Sequence, residues 1–164
     1  MSEEKLRRDL RAAFANRAML YWTIYQTLEA ELGLERAEAL LSAGIRARGA
    51  EVAGVLASHA PGDMAGLRDA FLGTIADDAR MFQPEVVRCD GGHLDIDFHR
   101  CPLKETWQEA GLPDEIVARL CRIAGKIDNG MFETAGFTFA SETWQPGREG
   151  CCRLRVRPGP GVST

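Results

Sequence analysis

The segment VVRCDGGHLDIDFHRC, residues 86–101, constrains the fold more than any other part of the chain. Its centre, Asp90-Gly91-Gly92, is typical of the tight turn that joins two antiparallel strands. After this turn polar and apolar residues alternate, as they do when successive side chains point to opposite faces of a strand. One face carries His93, Asp95, Asp97, His99 and Cys101, and the other carries Leu94, Ile96, Phe98 and Arg100. The pattern predicts a hairpin whose second strand has one polar face.

Helical patterns precede this hairpin. Apolar residues recur at spacings of three and four between Leu6 and Ile24, which predicts an amphipathic helix. Further helices are expected from Glu35 to about Ala57 and from about Asp63 to Met81. The helix from Glu35 to about Ala57 contains three glycines, which indicate close packing against a neighbouring helix: Gly44, Gly49 and Gly54.

The second half of the chain alternates between strand and helix patterns. A short helix is expected to end at Gly111, and another runs from Pro113 to about Asn129. The segments TAGFTFASETW and CCRLRVRP predict a third and a fourth strand. The order β-β-α-α-β-β after a helical half predicts an α+β fold, with an antiparallel sheet packed on helices. We expect one domain over residues 1–158, with a helical part (1–82), a sheet-containing part (83–158) and a disordered tail (159–164).

Charge and composition exclude several classes of partner. The 164 residues carry a formal net charge of −4, which favours neither nucleic acid nor an anionic membrane. No apolar run reaches the roughly 20 residues that a membrane span needs. The first residues lack the pattern of a signal peptide, and the five cysteines are an odd number. We therefore expect a bacterial cytoplasmic protein with reduced thiols.

The polar face of the second strand is a candidate metal site. Residues two apart on one face lie about 6.5–7 Å from each other. His93, Asp95 and His99 could therefore converge on a divalent metal such as zinc, manganese or iron. A simply solvated strand face is the alternative, and a catalytic role for His99 or Asp97 alone is a third interpretation.

The cysteines offer a second kind of chemistry. Cys101 ends the strand and precedes a helix start, where helix amides and a neighbouring His99 can lower a thiol pKa. A buried, unreactive thiol is the alternative for Cys101, and it is the expectation for Cys121, which lies on an apolar helix stripe. Cys151 and Cys152 open the last strand, so only one of the two is expected to face the core.

The last third of the chain resembles a known family. Its ordered features are C-P-L-x-E-x-W-x-x-x-G from Cys101, L-C-x-x-x-x-x-x-D from Leu120, and SETWQPGREGCCRLRV from Ser141. Together they resemble the L-2-amino-thiazoline-4-carboxylic acid hydrolase-like family of small bacterial proteins. The final motif departs from the family, which tends to have an aromatic residue where this chain reads Cys-Arg-Leu (152–154).

The resemblance implies hydrolytic opening of a cyclic C=N or amide bond in a small molecule. By position it implies that Cys101, Cys121 and Cys152 are the family's cysteines and that Asp128 is its acidic residue. The candidate catalytic residues are then Cys101, His99, Asp128 and Cys121. The candidate substrate contacts are Trp107, Phe137, Phe139 and Cys152.

Two other classes of function remain open at this point. A pocket lined only by aromatic and aliphatic residues would favour a non-catalytic binding or sensory domain, similar to 4-vinyl reductase-type domains. An assembly protein is the third class, in which the N-terminal helices form the seam of a homo-oligomer. Reactive polar groups that converge on one pocket would favour the enzyme.

Overall fold

The computed structural model describes residues 2–160 and confirms the α+β fold with a helical first half. The helices of that half are α1 (Glu3–Leu32), α2 (Leu34–Val52), α3 (Gly54–Ala57) and α4 (Met64–Gly73). The second half contains β1 (Pro84–Asp90), β2 (His93–Phe98), α5 (Pro102–Glu109), α6 (Asp114–Ala124), α7 (Lys126–Ala135), β3 (Thr138–Glu142) and β4 (Arg153–Arg157). All neighbouring strands are antiparallel, in the order β1-β2-β4-β3.

The helix boundaries follow local capping groups. The Ser2 side chain accepts a hydrogen bond from the Lys5 amide (3.3 Å) at the start of α1, and Gly33 ends that helix at φ 77°. The Asp63 side chain caps α4 by accepting from the Gly66 amide (2.9 Å). Such side-chain acceptors satisfy amides that lack a partner within the helix.

Three predicted helix boundaries were wrong. The helix expected to reach about Ala57 is interrupted at Ala53, and the helix expected to reach Met81 ends at Gly73. The helix expected to end near Asn129 is divided at Gly125 and continues as α7 to Ala135. Gly125 favours the break because glycine lowers helix propensity.

The predicted hairpin is present. The Asp90 side chain accepts a hydrogen bond from the Gly92 amide (2.8 Å) within the turn between β1 and β2. Leu94 and Ile96 are fully buried beneath the helices, so the predicted alternation of faces is confirmed for β2. On the outer face Arg155 Nη1 donates to Asp97 Oδ1 (2.8 Å), and Arg157 Nη1 donates to Asp95 Oδ1 (2.6 Å).

Two glycines allow α2 and α7 to cross at close range. A Cβ atom on Gly49 would lie 2.1 Å from the Ile127 carbonyl oxygen, and one on Gly130 would lie 2.0 Å from the Arg46 carbonyl oxygen. Close packing was therefore predicted correctly for Gly49. It was wrong for Gly44 and Gly54, where an added Cβ atom would meet open space.

The predicted C-terminal tail is in part packed against the domain. Gly159 is buried and its amide donates to the Pro61 carbonyl oxygen (2.8 Å). Residues 161–164 of that tail lie outside the described residues. Within residues 2–160 no helix is long and apolar enough to cross a bilayer. Leu20 and Ile24 are exposed on α1, and a homo-oligomer through this helix stays a prediction.

Candidate active site

A cavity of about 260 Å³ lies where α1, α5, the α6–α7 junction and the turn before β4 meet. Four of the five cysteines line it: Cys101, Cys121, Cys151 and Cys152. Asp128 and Trp107, two more residues selected from the sequence, also line it. The structure therefore brings together six residues from separate segments of the sequence.

Cys101 occupies the N-terminus of α5 at the wall of this cavity. It is the N-cap residue, with extended backbone dihedrals, and Pro102 follows at the first helical position. A hydrogen bond from the Cys151 thiol lowers the pKa of the Cys101 thiol, with further help from the Lys104 and Leu103 amides and the Lys104 charge, against the opposing effect of burial. The lowered pKa increases the thiolate fraction of Cys101 at this helix N-terminus.

The prediction that the side chains of Cys151 and Cys152 point to opposite faces of a strand was wrong. β4 begins only at Arg153, so both cysteines lie in the preceding turn. Their sulfur atoms are 3.4 Å apart, and both side chains line the cavity. Hydrogen bonding to Cys101 and Cys152, together with burial, raises the pKa of the Cys151 thiol.

Cys121 is a buried thiol on α6, as expected from its apolar stripe. Burial is the main cause of the raised pKa of its thiol, with a smaller contribution from the neighbouring cysteines. Of Cys101, Cys121 and Cys151, Cys101 is therefore the residue with the greatest thiolate character.

We expect iodoacetamide to modify Cys101 before Cys121 and Cys151 at neutral pH, because alkylation requires a thiolate. Peptide mass spectrometry after short labelling times at several pH values measures this order. Uniform labelling of all five thiols in folded protein, or fastest labelling of Cys121, would contradict the assignment of Cys101 as the thiolate.

Asp128 supplies an ionisable carboxyl group to the same cavity. Desolvation by burial raises the pKa of this carboxyl to about 7, and no side-chain hydrogen bond stabilises it within residues 2–160. Near neutral pH the group can therefore donate or accept a proton, as a general acid or base must.

The raised pKa of Asp128 predicts a stability effect with a definite sign. The folded protein binds this proton more tightly than the unfolded chain, so stability is lost as pH rises from about 4 to 7. Asp128→Asn should therefore be more stable than wild type at pH 8, by about 1–2 kcal/mol, with little difference at pH 4. Urea denaturation at both pH values measures this, and the exposed Asp114→Asn change serves as control. An equal effect of Asp128→Asn at both pH values would contradict a raised pKa.

Aromatic side chains form the apolar walls of the cavity. They are contributed by Phe14, Tyr21, Phe71, Phe82, Phe98 and Trp107. Trp107 is fully buried, and its indole Nε1 donates to the Ala18 carbonyl oxygen (2.8 Å), which anchors α5 on α1. Phe137 and Phe139, the other predicted aromatic contacts, are not cavity residues. Both are buried in the core, where Phe139 stacks on Phe132 at 5.0 Å.

The histidines lie outside the cavity. His99 is exposed, with its Nε2 2.7 Å from Glu85 Oε2, so it does not face Cys101. His93 Nδ1 lies 2.9 Å from Asp90 Oδ1, and Asp95 is paired with Arg157. Residues 2–160 contain no group of three His, Cys, Asp or Glu side chains able to hold a metal. The three predicted metal ligands are therefore separated, each with another partner.

Arg17 and Arg100 bring positive charge to the cavity, and neither was selected from the sequence. Arg100 forms an ion pair with Glu105, to which it donates two hydrogen bonds of 2.7 Å. Arg17 makes no ion pair within residues 2–160 and lies over the Phe14 ring at 4.7 Å. The i, i+3 spacing of Phe14 and Arg17 was the one available signal, since it places both on one helix face.

A strained connection, residues 74–83, covers one side of the cavity through Thr74, Ile75, Ala76 and Phe82. Asp77, Asp78, Ala79 and Gln83 all have positive φ angles, between 47° and 65°. Such angles cost about 1–2 kcal/mol for residues with a Cβ atom. Arg7 Nε donates to Asp77 Oδ1 (3.0 Å), which fastens the connection to α1.

Comparison with family models decides the relationship of the chain. Residues 12–156 match the model of L-2-amino-thiazoline-4-carboxylic acid hydrolase. The chain belongs to this family. The match extends from α1 to β4, so it includes every residue of the cavity described above. A comparison with curated protein sequences found no significant match.

Two solved structures align with most of this chain. A trafficking protein particle complex subunit 3 from Naegleria fowleri, covalently bound to palmitic acid, aligns with TM-score 0.54 and 14% identity. The alignment covers 93% of this chain and 99% of that one. The phenol-responsive sensory domain of the transcription activator PoxR, with phenol, aligns with TM-score 0.49 and 18% identity over 86% of this chain and 73% of that one. The first of these similarities shows a shared fold.

Proposed function

We propose that this family member hydrolyses a small cyclic C=N compound, L-2-amino-thiazoline-4-carboxylic acid or a related heterocycle, in the cavity between α1 and α5. The observation that carries the proposal is the placement of Cys101 and Asp128 in one cavity. One is a thiol favoured as thiolate by its surroundings, and the other is a carboxyl that titrates near neutral pH. A nucleophile and a proton donor are the two groups that such a reaction needs.

The first step is addition to the ring carbon. The Cys101 thiolate supplies the electron pair of a new C–S bond, and the π pair of the C=N bond moves to nitrogen. That nitrogen takes the proton of the Asp128 carboxylic acid. The lone pair on that nitrogen then re-forms a C=N bond to the carbon, and a ring bond from the same carbon breaks with its electron pair leaving on the ring heteroatom. The ring is now open, and its carbon remains attached to Cys101.

The second step is hydrolysis of this covalent intermediate. Water attacks the carbon, the C=N π pair moves back to nitrogen, and one water proton goes to the Asp128 carboxylate, which restores the carboxylic acid. The other water proton goes to the ring heteroatom that left. The oxygen lone pair then forms a C=O bond while the C–S bond breaks, and the electrons of that C–S bond return to Cys101. One water molecule is consumed, and both protein groups regain their starting states.

Other cavity residues have roles in binding. Trp107 and Cys152 would form walls against the ring. Arg17 lacks an acidic partner within the described residues. We therefore propose that it binds the substrate carboxylate, since guanidinium and carboxylate groups pair through two hydrogen bonds. His99 has no part in this mechanism because its ring lies at the surface against Glu85.

Arg17→Gln is expected to raise KM about tenfold or more while it changes kcat much less, because Arg17 contacts only the non-reacting carboxylate. Steady-state kinetics with the thiazoline carboxylic acid measures the two constants separately. Arg8→Gln, an exposed substitution on the same helix, is the control and should leave both constants unchanged. A fall in kcat alone would contradict the binding role of Arg17.

A non-catalytic small-molecule-binding domain is the second candidate, and the aromatic walls of the cavity favour it. One experiment separates the two. The purified protein is incubated with L-2-amino-thiazoline-4-carboxylic acid, while binding is followed by calorimetry and product by mass spectrometry. A product heavier by one water supports the hydrolase. Saturable binding without turnover would support the binding domain and contradict the proposed chemistry.

A further inference from the structure

We propose that Cys101 and Cys151 form a site of reversible oxidation by hydroperoxides, in which Cys101 reacts with the peroxide and Cys151 closes a disulfide with it. This site would act in addition to the proposed hydrolysis. It rests on the arrangement of the cavity thiols and not on turnover of any substrate.

The first argument is the clustering of the thiols. Cys101, Cys151 and Cys152 line one cavity, and the Cys152 sulfur lies 3.4 Å from the Cys151 sulfur. Cys89 is the one cysteine outside the cavity, and its sulfur contacts the Met64 carbonyl oxygen at 3.7 Å. A reactive thiol with a second thiol beside it is the arrangement of redox-sensitive cysteines.

The second argument is the backbone that holds Cys151 in this position. Its amide donates to the Phe98 carbonyl oxygen (2.8 Å), and the Phe98 amide donates to the Cys152 carbonyl oxygen (2.8 Å). Lys104 Nζ, on the helix that Cys101 caps, donates to the Gly150 carbonyl oxygen (2.8 Å). These contacts fasten the Cys151 turn both to the end of β2 and to α5, so the two thiols remain neighbours.

The third argument concerns which pair of cysteines would be joined. A disulfide between the adjacent residues Cys151 and Cys152 would close a small ring that contains their peptide bond, which resists departure from a trans planar geometry. A Cys101–Cys151 disulfide carries no such restriction. The pKa of the Cys101 thiol is lowered and that of the Cys151 thiol is raised, so Cys101 is the thiol that reacts first.

The reaction is balanced with hydrogen peroxide as the oxidant. The Cys101 thiolate attacks one peroxide oxygen, the O–O bond breaks, and hydroxide leaves with its electron pair, so that Cys101 becomes a sulfenic acid. The Cys151 sulfur then attacks the Cys101 sulfur, and the S–O bond breaks. The hydroxide that leaves the sulfenic acid takes the Cys151 proton, and the hydroxide from the peroxide takes a proton from solvent, so two water molecules form. A dithiol reductant reverses the change by exchange.

The test uses the 164-residue chain, treated with hydrogen peroxide and then mapped by mass spectrometry without reduction. The expected product is a peptide pair joined through Cys101 and Cys151, which disappears with dithiothreitol. In Cys151→Ser the disulfide should be absent, and Cys101 should proceed to sulfinic acid, with at least a tenfold lower yield of reduced Cys101 after dithiothreitol. Cys89→Ser is the matched control and should behave as wild type.

Two results would overturn the proposal. One is a disulfide that joins Cys151 to Cys152 in wild-type protein, and the other is oxidation of Cys101 that is equally reversible in wild type and in Cys151→Ser. Because the readout is peptide mass, the oxidation proposal can be contradicted even if the protein hydrolyses the thiazoline. Equally, the disulfide can form in a protein that does not hydrolyse the thiazoline.

Discussion

Cys101→Ser is expected to lower kcat/KM for ring opening by about 10³-fold or more, because a serine hydroxyl at this position lacks the nucleophilicity of a thiolate. The substitution keeps the size of the side chain and the N-cap position of α5, so folding should be preserved. Cys101→Ala should lose activity to the same extent. Product formation by mass spectrometry and substrate binding by calorimetry are measured for each variant.

The control for this loss is Cys89→Ser, which removes a thiol outside the cavity and should retain wild-type activity. The binding data give a further distinction. We expect both Cys101 variants to bind the thiazoline carboxylic acid with an affinity similar to wild type, since Arg17 and the aromatic walls remain. A Cys101→Ser variant that binds substrate and turns it over at the wild-type rate would eliminate covalent catalysis.

Gly49→Ala and Gly130→Ala are each expected to destabilise the protein by about 3 kcal/mol or more. The added methyl group would lie 2.1 Å from a backbone oxygen in the first case and 2.0 Å in the second. Backbone atoms cannot rotate away as a side chain can, so α2 and α7 must separate. Because α7 also carries Asp128, we expect activity to fall along with stability.

Gly44→Ala is the matched control, because Gly44 lies in the same helix and an added Cβ atom there meets nothing within 4 Å. It should be neutral or more stable by up to about 1 kcal/mol, the usual gain in helix propensity. Urea denaturation gives the free energy of unfolding of all three variants. Equal stability of Gly44→Ala and Gly49→Ala would show that α2 and α7 do not cross at this distance.

Local rules were sufficient to predict several parts of the structure. The alternation in HLDIDF predicted which side chains of β2 enter the core, because the period of a strand is two residues. Cys101-Pro102 predicted a thiol at a helix N-terminus, since proline is favoured at the first helical position. Cys121, Asp128, Trp107 and Cys152 were selected through the family resemblance and not by a local rule, and together with Cys101 they line the cavity.

Other parts depended on information that the local pattern lacks. The alternation was extended to His99 and Cys101, but β2 ends at Phe98, and beyond a strand end successive side chains no longer share a face. The paired orientation of Cys151 and Cys152 follows from Gly150, whose φ of 74° places a turn before β4. Arg17 approaches the cavity from α1, and no spacing along the sequence reveals such a long-range contact.

The central claim is that Cys101 and Asp128 act together on a bound cyclic substrate. The most direct measurement is acid quenching of the Asp128→Asn variant during turnover of L-2-amino-thiazoline-4-carboxylic acid, followed by peptide mass spectrometry. The account predicts a substrate-derived adduct on Cys101 in both forms, which forms and decays more slowly in Asp128→Asn because ring opening lacks its proton donor and water attack lacks its base. An actively hydrolysing protein with no adduct on Cys101 at any quench time, in either form, would contradict it.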